Sequence, residues 1–212
     1  MFRKYILGIL LAASAGMASA EEKVLASVKP YGLNVGDEAP AFSVNDIQDK
    51  KINLDRELAA GPVVLVFYRG GWCPFCNTQL RSIESKLMPS LKSSGASLVA
   101  ISVDKPDEEL KTKQKHGLSF RIVSDPKAVL LGKYNVKYQV PDDLVATYKA
   151  KHGIDLEKSS GEKHHIIAVP SVFVVNKARK VVYSFVDEDY KKRAPEEAIL
   201  AAVAAESKNV KK

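Results

Sequence analysis

The sequence predicts an α/β fold in which a mostly parallel central sheet is covered by helices on both faces. Three observations carry this prediction. Val63, Val64, Leu65, Val66, Phe67 and Tyr68 form an unbroken β-branched and aromatic run, the composition of a strand buried on both faces. A second run of this kind occupies residues 97–103. Around them, segments with helical spacing alternate with short strands in the order β-α-β-α-β-α, the pattern of a parallel sheet.

Each element follows from local chemistry. Residues 21–34 read as a polar lead-in, and Val35 to Pro40 as a turn. Phe42, Val44, Ile52 and Leu54 give short apolar pulses around Asp49, Lys50 and Lys51, which predicts an antiparallel pair. Gly61 and Pro62 break the chain ahead of the first buried strand. Arg69, Gly70, Gly71 and Trp72 form a loop, and Pro74 suits the first turn of a helix. Leu80, Ile83, Leu87 and Leu91 continue that helix, with a kink expected at Pro89. Helices are expected over 104–115 and 126–134, with a strand over 120–123 between them. Residues 137–165 interrupt the rhythm: 142–152 predicts one amphipathic helix and 157–163 a polar loop. Strands over 172–175 and 181–185 flank a turn, and an Ala- and Glu-rich helix over 195–205 closes the chain. There is no internal repeat, low-complexity tract or interdomain linker.

Composition narrows the function classes. The chain has 212 residues, of which 46% are hydrophobic and 27% charged, which fits one globular domain and excludes fibrous and wholly disordered readings. Two cysteines cannot staple a miniprotein. Arg3 and Lys4, a short apolar run over 5–17 and then Ala18, Ser19 and Ala20 read as a signal peptide cleaved after Ala20. The run is shorter than the ~20 residues of a spanning helix, so no stable membrane insertion is expected. The net charge of +7 then loses two basic residues, and no basic stripe interleaved with aromatics remains to hold nucleic acid. The expected organisation is a signal peptide over 1–20, a lead-in over 21–34, one domain over 35–206 and a flexible tail over 207–212. The expected location is periplasmic or secreted.

The chemistry concentrates where the first buried strand meets the next helix. Cys73 and Cys76 stand three apart there, spaced to close a small disulfide ring. A helix N-terminus lowers a thiol's pKa through its free N–H groups and aligned dipole. The resulting thiolate attacks a disulfide sulfur or the oxygen of a peroxide. Gly70 and Gly71 let the backbone turn and leave the sulfur approachable. A Cys-x-x-Cys pair also serves as a structural disulfide or half a metal site, but its place after a buried strand favours redox chemistry. Zinc needs two more ligands, and the adjacent His164 and His165 point oppositely on an extended strand, so they read as polar loop residues and no metal is expected. No cofactor is implied beyond the Cys73–Cys76 disulfide itself. Arg69 reads as a solvated loop arginine, with stabilisation of a cysteine thiolate as its other role, and Trp72 as cover for the disulfide. Tyr134, Tyr138 and Tyr148 read as burying their own helix, with a substrate groove as the alternative. Val169 and Pro170 precede the 172–175 strand. A proline there opens the strand or faces a functional surface, and a cis bond would leave a backbone edge free for an incoming substrate chain.

These segments resemble the AhpC/TSA (peroxiredoxin-like) family of the thioredoxin superfamily. The resemblance covers about 35–204. It rests on Gly36, Asp37, Glu38, Ala39 and Pro40, on the stretch from Tyr68 through Arg69, Gly70, Gly71, Trp72, Cys73, Pro74 and Phe75 to Cys76, and on Phe185 to Tyr190. It implies a thioredoxin-like fold: a central mixed sheet flanked by helices, an N-terminal β-hairpin extension, and an insert before the cis-Pro strand. Family peroxidases carry Pro-x-x-x-Thr-x-x-Cys and a distant arginine. Laid on this chain, the peroxidatic cysteine falls on Cys76, the threonine on Cys73, the proline on Arg69 and the arginine on Pro170. The groups that polarise the O–O bond are missing there, so peroxide reduction is expected to be weak unless Arg69 or Arg121 substitutes. In the thioredoxin-like frame Cys73 is the exposed attacking thiolate and Cys76 resolves the mixed disulfide, while Trp72, Pro74, Val169 and Pro170 meet substrate. The strand before the cysteines offers only apolar Val66 and Phe67, so proton movement at Cys76 falls to water or another group. The implied function is an exported thiol-disulfide oxidoreductase that cycles the Cys73–Cys76 disulfide. Its partners would be a thiol or disulfide donor or acceptor protein and a disulfide or peroxide substrate. Two alternatives stand beside it: a thiol peroxidase with Cys76 peroxidatic and Cys73 resolving, and a non-enzymatic binding module with a structural disulfide. Asp187, Asp189 and Tyr190 match the family without suggesting a role.

Overall fold

The computed structural model describes residues 31–209; the expected signal peptide, most of the lead-in and residues 210–212 lie outside them. Strands β1 (Ser43–Asn45) and β2 (Lys51–Asn53) form the expected antiparallel pair. The Asp46 carboxylate closes the turn between them by accepting the N–H groups of Gln48 and Lys50, each at 2.9 Å. Helix α1 (Leu54–Ala60) starts at once because Asn53 caps it, accepting the Arg56 N–H at 3.0 Å.

The centre is a five-stranded sheet. Its members are β3 (Val63–Phe67), β4 (Ser97–Ser102), β5 (Arg121–Ser124), β8 (Ser171–Val175) and β9 (Val181–Val186), in the order β5-β4-β3-β8-β9. The first three run parallel, whereas β8 is antiparallel to β3 and β9 to β8. The sheet is therefore mixed rather than mostly parallel, because residues 137–165 return the chain to the other side of β3. Every residue of β3 is fully buried. Its side chains and that of Tyr68 just after it alternate between two cores: Val63, Leu65 and Phe67 on one face, Val64, Val66 and Tyr68 on the other.

Helix α2 (Pro74–Ser82) leads through a π-helical turn (Ile83–Leu87) into α3 (Met88–Ser93). The kink expected at Pro89 takes this form: proline gives no N–H to the preceding turn and crowds the carbonyl four residues back, so the ladder widens there. Helix α4 (Pro106–His116) and the short α5 (Val129–Lys133) cover the sheet further along. The insert holds the two-stranded pair β6 (Lys137–Gln139) and β7 (Ile166–Ala168) with α6 (Asp142–His152) between them. The expected polar loop after it is in part helix α7 (Leu156–Ser160), nucleated by Asp155, which accepts the Lys158 N–H at 3.0 Å. Helix α8 (Glu196–Asn209) closes the fold and runs into the segment expected as tail. Among the described residues no helix is long and apolar enough to cross a membrane.

Candidate active site

Phe67 at the end of β3 pairs with Ser171 of β8, so the chain leaving β3 runs beside Pro170. The turn that follows admits only glycine at one point. Gly70 has φ +146°, and a Cβ there would lie 2.4 Å from Trp72 Nε1 and 2.8 Å from both Asp104 carboxylate oxygens. Cys73 is the N-cap of α2 and Pro74 occupies its first turn, which places Cys76 one turn on. Both cysteines are free thiols and both are fully buried. The expectation of an exposed Cys73 is thus overturned: no part of it is open to solvent, and the Arg69 side chain reaches its sulfur.

The two sulfurs have opposite electrostatic settings. Cys73 is pulled down to about 6, first by the Cys76 thiol that hydrogen-bonds to it, and further by the Cys76 main-chain N–H, Arg69 and Arg193. Cys76 is pushed well above the ordinary thiol range, first by burial and then by the neighbouring Cys73 charge. Arg69 Nη1 lies 3.8 Å from Cys73 Sγ, and Arg193 Nη2 lies 3.6 Å from Cys76 Sγ.

Arg69 is not the solvated loop residue its surroundings in sequence suggest; it is 5% exposed. Its guanidinium carbon sits 4.3 Å from the Tyr190 ring centre, 4.9 Å from that of Trp72 and 5.6 Å from that of Tyr148, and it donates to the Tyr148 hydroxyl. Three rings thus surround the cation beside the sulfur.

Of the four residues expected to meet substrate, Val169, Pro170 and Trp72 lie about Arg69, and Pro74 lies apart from them. Val169 and Pro170 line a cleft of about 190 Å³ with Arg69, Tyr138, Tyr148 and Tyr190. Pro74 lines a separate groove of about 440 Å³ with Phe75, Ile83, Arg193 and Ile199. Trp72 is half-buried against Arg69 and Tyr148. The Val169–Pro170 bond is trans, and no described peptide bond is cis. The backbone edge there is occupied: Val169 N–H donates to Val136 C=O at 2.9 Å, and Pro170 C=O accepts from Asp187 N–H at 3.3 Å. Of the three tyrosines, Tyr138 and Tyr148 reach the cleft. Tyr134 is core, stacked near Phe67 and Phe173, with its hydroxyl on Pro40 C=O at 2.9 Å.

The model of the AhpC/TSA family matches residues 35–184. The chain belongs to the AhpC/TSA family. It is 32% identical over 105 residues to the thiol-disulfide oxidoreductase ResA of Bacillus thuringiensis (strain Al Hakam), an alignment that covers 49% of this chain and 59% of that protein. It is 28% identical over 135 residues to peroxiredoxin Bcp of Escherichia coli K12, covering 63% of this chain and 85% of that one. Its fold is that of peroxidoxin BcpB from Mycobacterium tuberculosis, with a TM-score of 0.63 at 22% identity over 82% of this chain and 97% of that structure.

Within the AhpC/TSA frame, three site residues escaped the sequence reading. Arg121, one of two arginines weighed there as substitutes, is engaged with Glu57 at 2.5 Å on β5. Arg193 takes the place beside Cys76 instead, and no local pattern marks it because it lies 117 positions away. Asp104 and Glu109 bring acids under the redox loop from the end of β4 and from α4. Asp104 accepts the Gly71 N–H at 2.7 Å. Nothing local marks either: Asp104 sits at a loop position before Lys105 and Pro106, and Glu109 ends the acidic run Asp107, Glu108, Glu109, which reads as a solvated first turn of a helix. His164 and His165 stay loop residues: His164 Nε2 meets Pro126 C=O at 2.6 Å and His165 Nε2 meets Glu157 at 3.0 Å.

Proposed function

We propose that this chain is an exported thiol-disulfide oxidoreductase that cycles a Cys73–Cys76 disulfide. The observation that carries the reading is the asymmetry of the two sulfurs: Cys73 is held down to about 6 while Cys76 is pushed up. At neutral pH Cys73 is then the thiolate and Cys76 the thiol. Cys73 attacks one sulfur of a disulfide R–S–S–R′, forms the mixed disulfide and expels R′S⁻. Cys76 gives up its proton, attacks Cys73 and expels RS⁻, which closes the ring. The chain is oxidised, two thiols leave, and an external thiol returns the disulfide to the reduced pair. The kinship with ResA and Bcp supports thiol chemistry of this kind, and the short apolar run before Ala20 supports export.

One observation favours a second reading, a thiol peroxidase that begins at Cys76: the Arg193 guanidinium faces that sulfur. Stopped-flow fluorescence of Trp72, the one tryptophan of the sequence, separates the two. The reduced chain is mixed with hydrogen peroxide or with a disulfide, together with the Cys73→Ser and Cys76→Ser variants. The oxidoreductase reading expects fast exchange with disulfide that survives Cys76→Ser and vanishes in Cys73→Ser. Rapid peroxide consumption by Cys73→Ser would reverse the roles.

A further inference from the structure

The loop that carries Cys73 rests on a buried polar cluster that the thiol exchange above does not use. Asp104 is 2% exposed and Glu109 is fully buried. Four groups join in one chain. The Tyr68 hydroxyl donates to one oxygen of Glu109 and the Ser102 hydroxyl to the other, while Ser102 Oγ accepts the Asp104 N–H at 3.0 Å. Asp104 turns its carboxyl the opposite way, to the redox loop, where Oδ2 accepts the Gly71 N–H at 2.7 Å. The Gly70 backbone packs against it, and the Trp72 indole N–H lies beside it.

An ionised carboxylate is costly in such a place. The titratable groups facing Asp104 are Cys73 from the loop, Glu108 and Glu109 from α4, and Tyr68 from the end of β3. All of them become negative on ionising. Burial above all, with Glu108 and the Cys73 charge adding to it, lifts Asp104 to about 7. Burial and the Asp104 charge lift Glu109 to about 8.

We propose that the Asp104 carboxyl, seated between the redox loop and the Tyr68–Glu109–Ser102 cluster, is a redox-linked proton store: Asp104 gains a proton when the Cys73–Cys76 disulfide is reduced and releases it when the ring closes. Two electrons break the S–S bond and leave Cys73 as thiolate and Cys76 as thiol, which takes up one proton. The new charge on Cys73 raises the proton affinity of Asp104, which takes up a further fraction. Closure reverses both steps. The coupling is reciprocal, so protonated Asp104 favours the Cys73 thiolate. Asp104 is a positioning residue here: it acts on the sulfur through charge and the loop, without touching substrate.

The proposal rests on the dithiol–disulfide cycle, and the experiment keeps the two apart. The oxidised chain is reduced with dithiothreitol at pH 7 in weakly buffered solution containing an indicator dye, and protein thiols are counted in parallel. Dithiothreitol releases two protons per disulfide it reduces. The Asp104→Asn chain takes up close to one of them, and the unaltered chain measurably more. Equal uptake by both overturns the proton store. No gain of protein thiols overturns the cycle instead. A redox-difference infrared spectrum of the unaltered chain tests the same point without a variant. Reduction must add intensity in the protonated-carboxyl region, and a spectrum flat there overturns the proposal even where Asp104→Asn does not fold.

Discussion

Arg193 holds its guanidinium 3.6 Å from the Cys76 sulfur across 117 positions of sequence. The same side chain donates to the main-chain carbonyls of Tyr190 and Lys192, so the segment between β9 and α8 fixes where it points. A cation at that distance favours the thiolate. It thus opposes the burial that makes Cys76 slow to give up its proton.

Arg193→Gln should therefore slow ring closure. A cation beside an ionisable group shifts its pKa by about one unit or more. Tenfold less thiolate, partly offset by a more basic nucleophile, slows attack about threefold to tenfold. The mixed disulfide between Cys73 and a small reporter disulfide, trapped by acid and weighed by mass spectrometry, should persist longer by that factor. A lifetime unchanged from the unaltered chain would show that Arg193 does not act on Cys76.

Arg69→Met should raise the Cys73 pKa from about 6, because it removes one of the charges that lower it. Each unit of rise means about tenfold less thiolate at pH values below the pKa. The pH profile of iodoacetamide alkylation of Cys73, taken in the Cys76→Ser background with and without Arg69→Met, reads the shift. Arg69→Lys should recover only part of it. The flat guanidinium is what stacks between Tyr190 and Trp72, and a lysine ammonium is not planar.

Glu109 makes stability depend on pH. Its carboxyl titrates at about 8 in the folded chain, raised by burial, against about 4.3 when unfolded. The folded state binds that proton more tightly. The contribution to stability is therefore fully present below about pH 4 and is lost as pH rises through about 8. Asp104, raised to about 7, acts in the same direction. Urea midpoints of the Cys73→Ser/Cys76→Ser chain, in which no thiol titrates, should fall between pH 5 and pH 8. Glu109→Gln should flatten that slope. A midpoint that climbs over this interval would contradict the raised carboxyls.

The central strand, the strand-to-helix corner and the cysteine pair were legible because each is local. Val63 to Phe67 declares its burial by composition, and Cys73, Pro74 and Cys76 declare a helix start by spacing. The antiparallel half of the sheet was less so, since nothing in Ser171–Val175 states its direction. Arg69 misled because a loop position and a charge suggest solvent. Its burial depends on Tyr148 and Tyr190, which lie 79 and 121 positions further along. The acids under the loop were invisible for the same reason. No acid stands at Val66 or Phe67, and the buried acids near the loop come from just after β4 and from α4, which only the fold brings together.

The contact between Gly71 and Thr112 offers the sharpest test of how that loop is seated. A Cβ on Gly71 would lie 1.9 Å from Thr112 Oγ1 and 3.1 Å from its Cβ. Thr112 stands on α4, nearly buried, where its hydroxyl donates to Glu108 C=O at 3.1 Å, so swinging aside would break that bond. Gly71→Ala should thus push the loop off α4 and lengthen the Gly71 N–H bond to Asp104. The cost should be about 1–3 kcal/mol, the usual range for overpacking. Thr112→Ala alone removes the hydroxyl and the γ-methyl and should cost about 1–2 kcal/mol. In the double variant the Oγ1 clash is gone and the weaker one with Cβ remains. The double-mutant cycle should therefore show a favourable coupling of about 1–2 kcal/mol in denaturant unfolding. Strict additivity would mean that the loop does not sit on α4, and the route from Cys73 to Asp104 would lose its support.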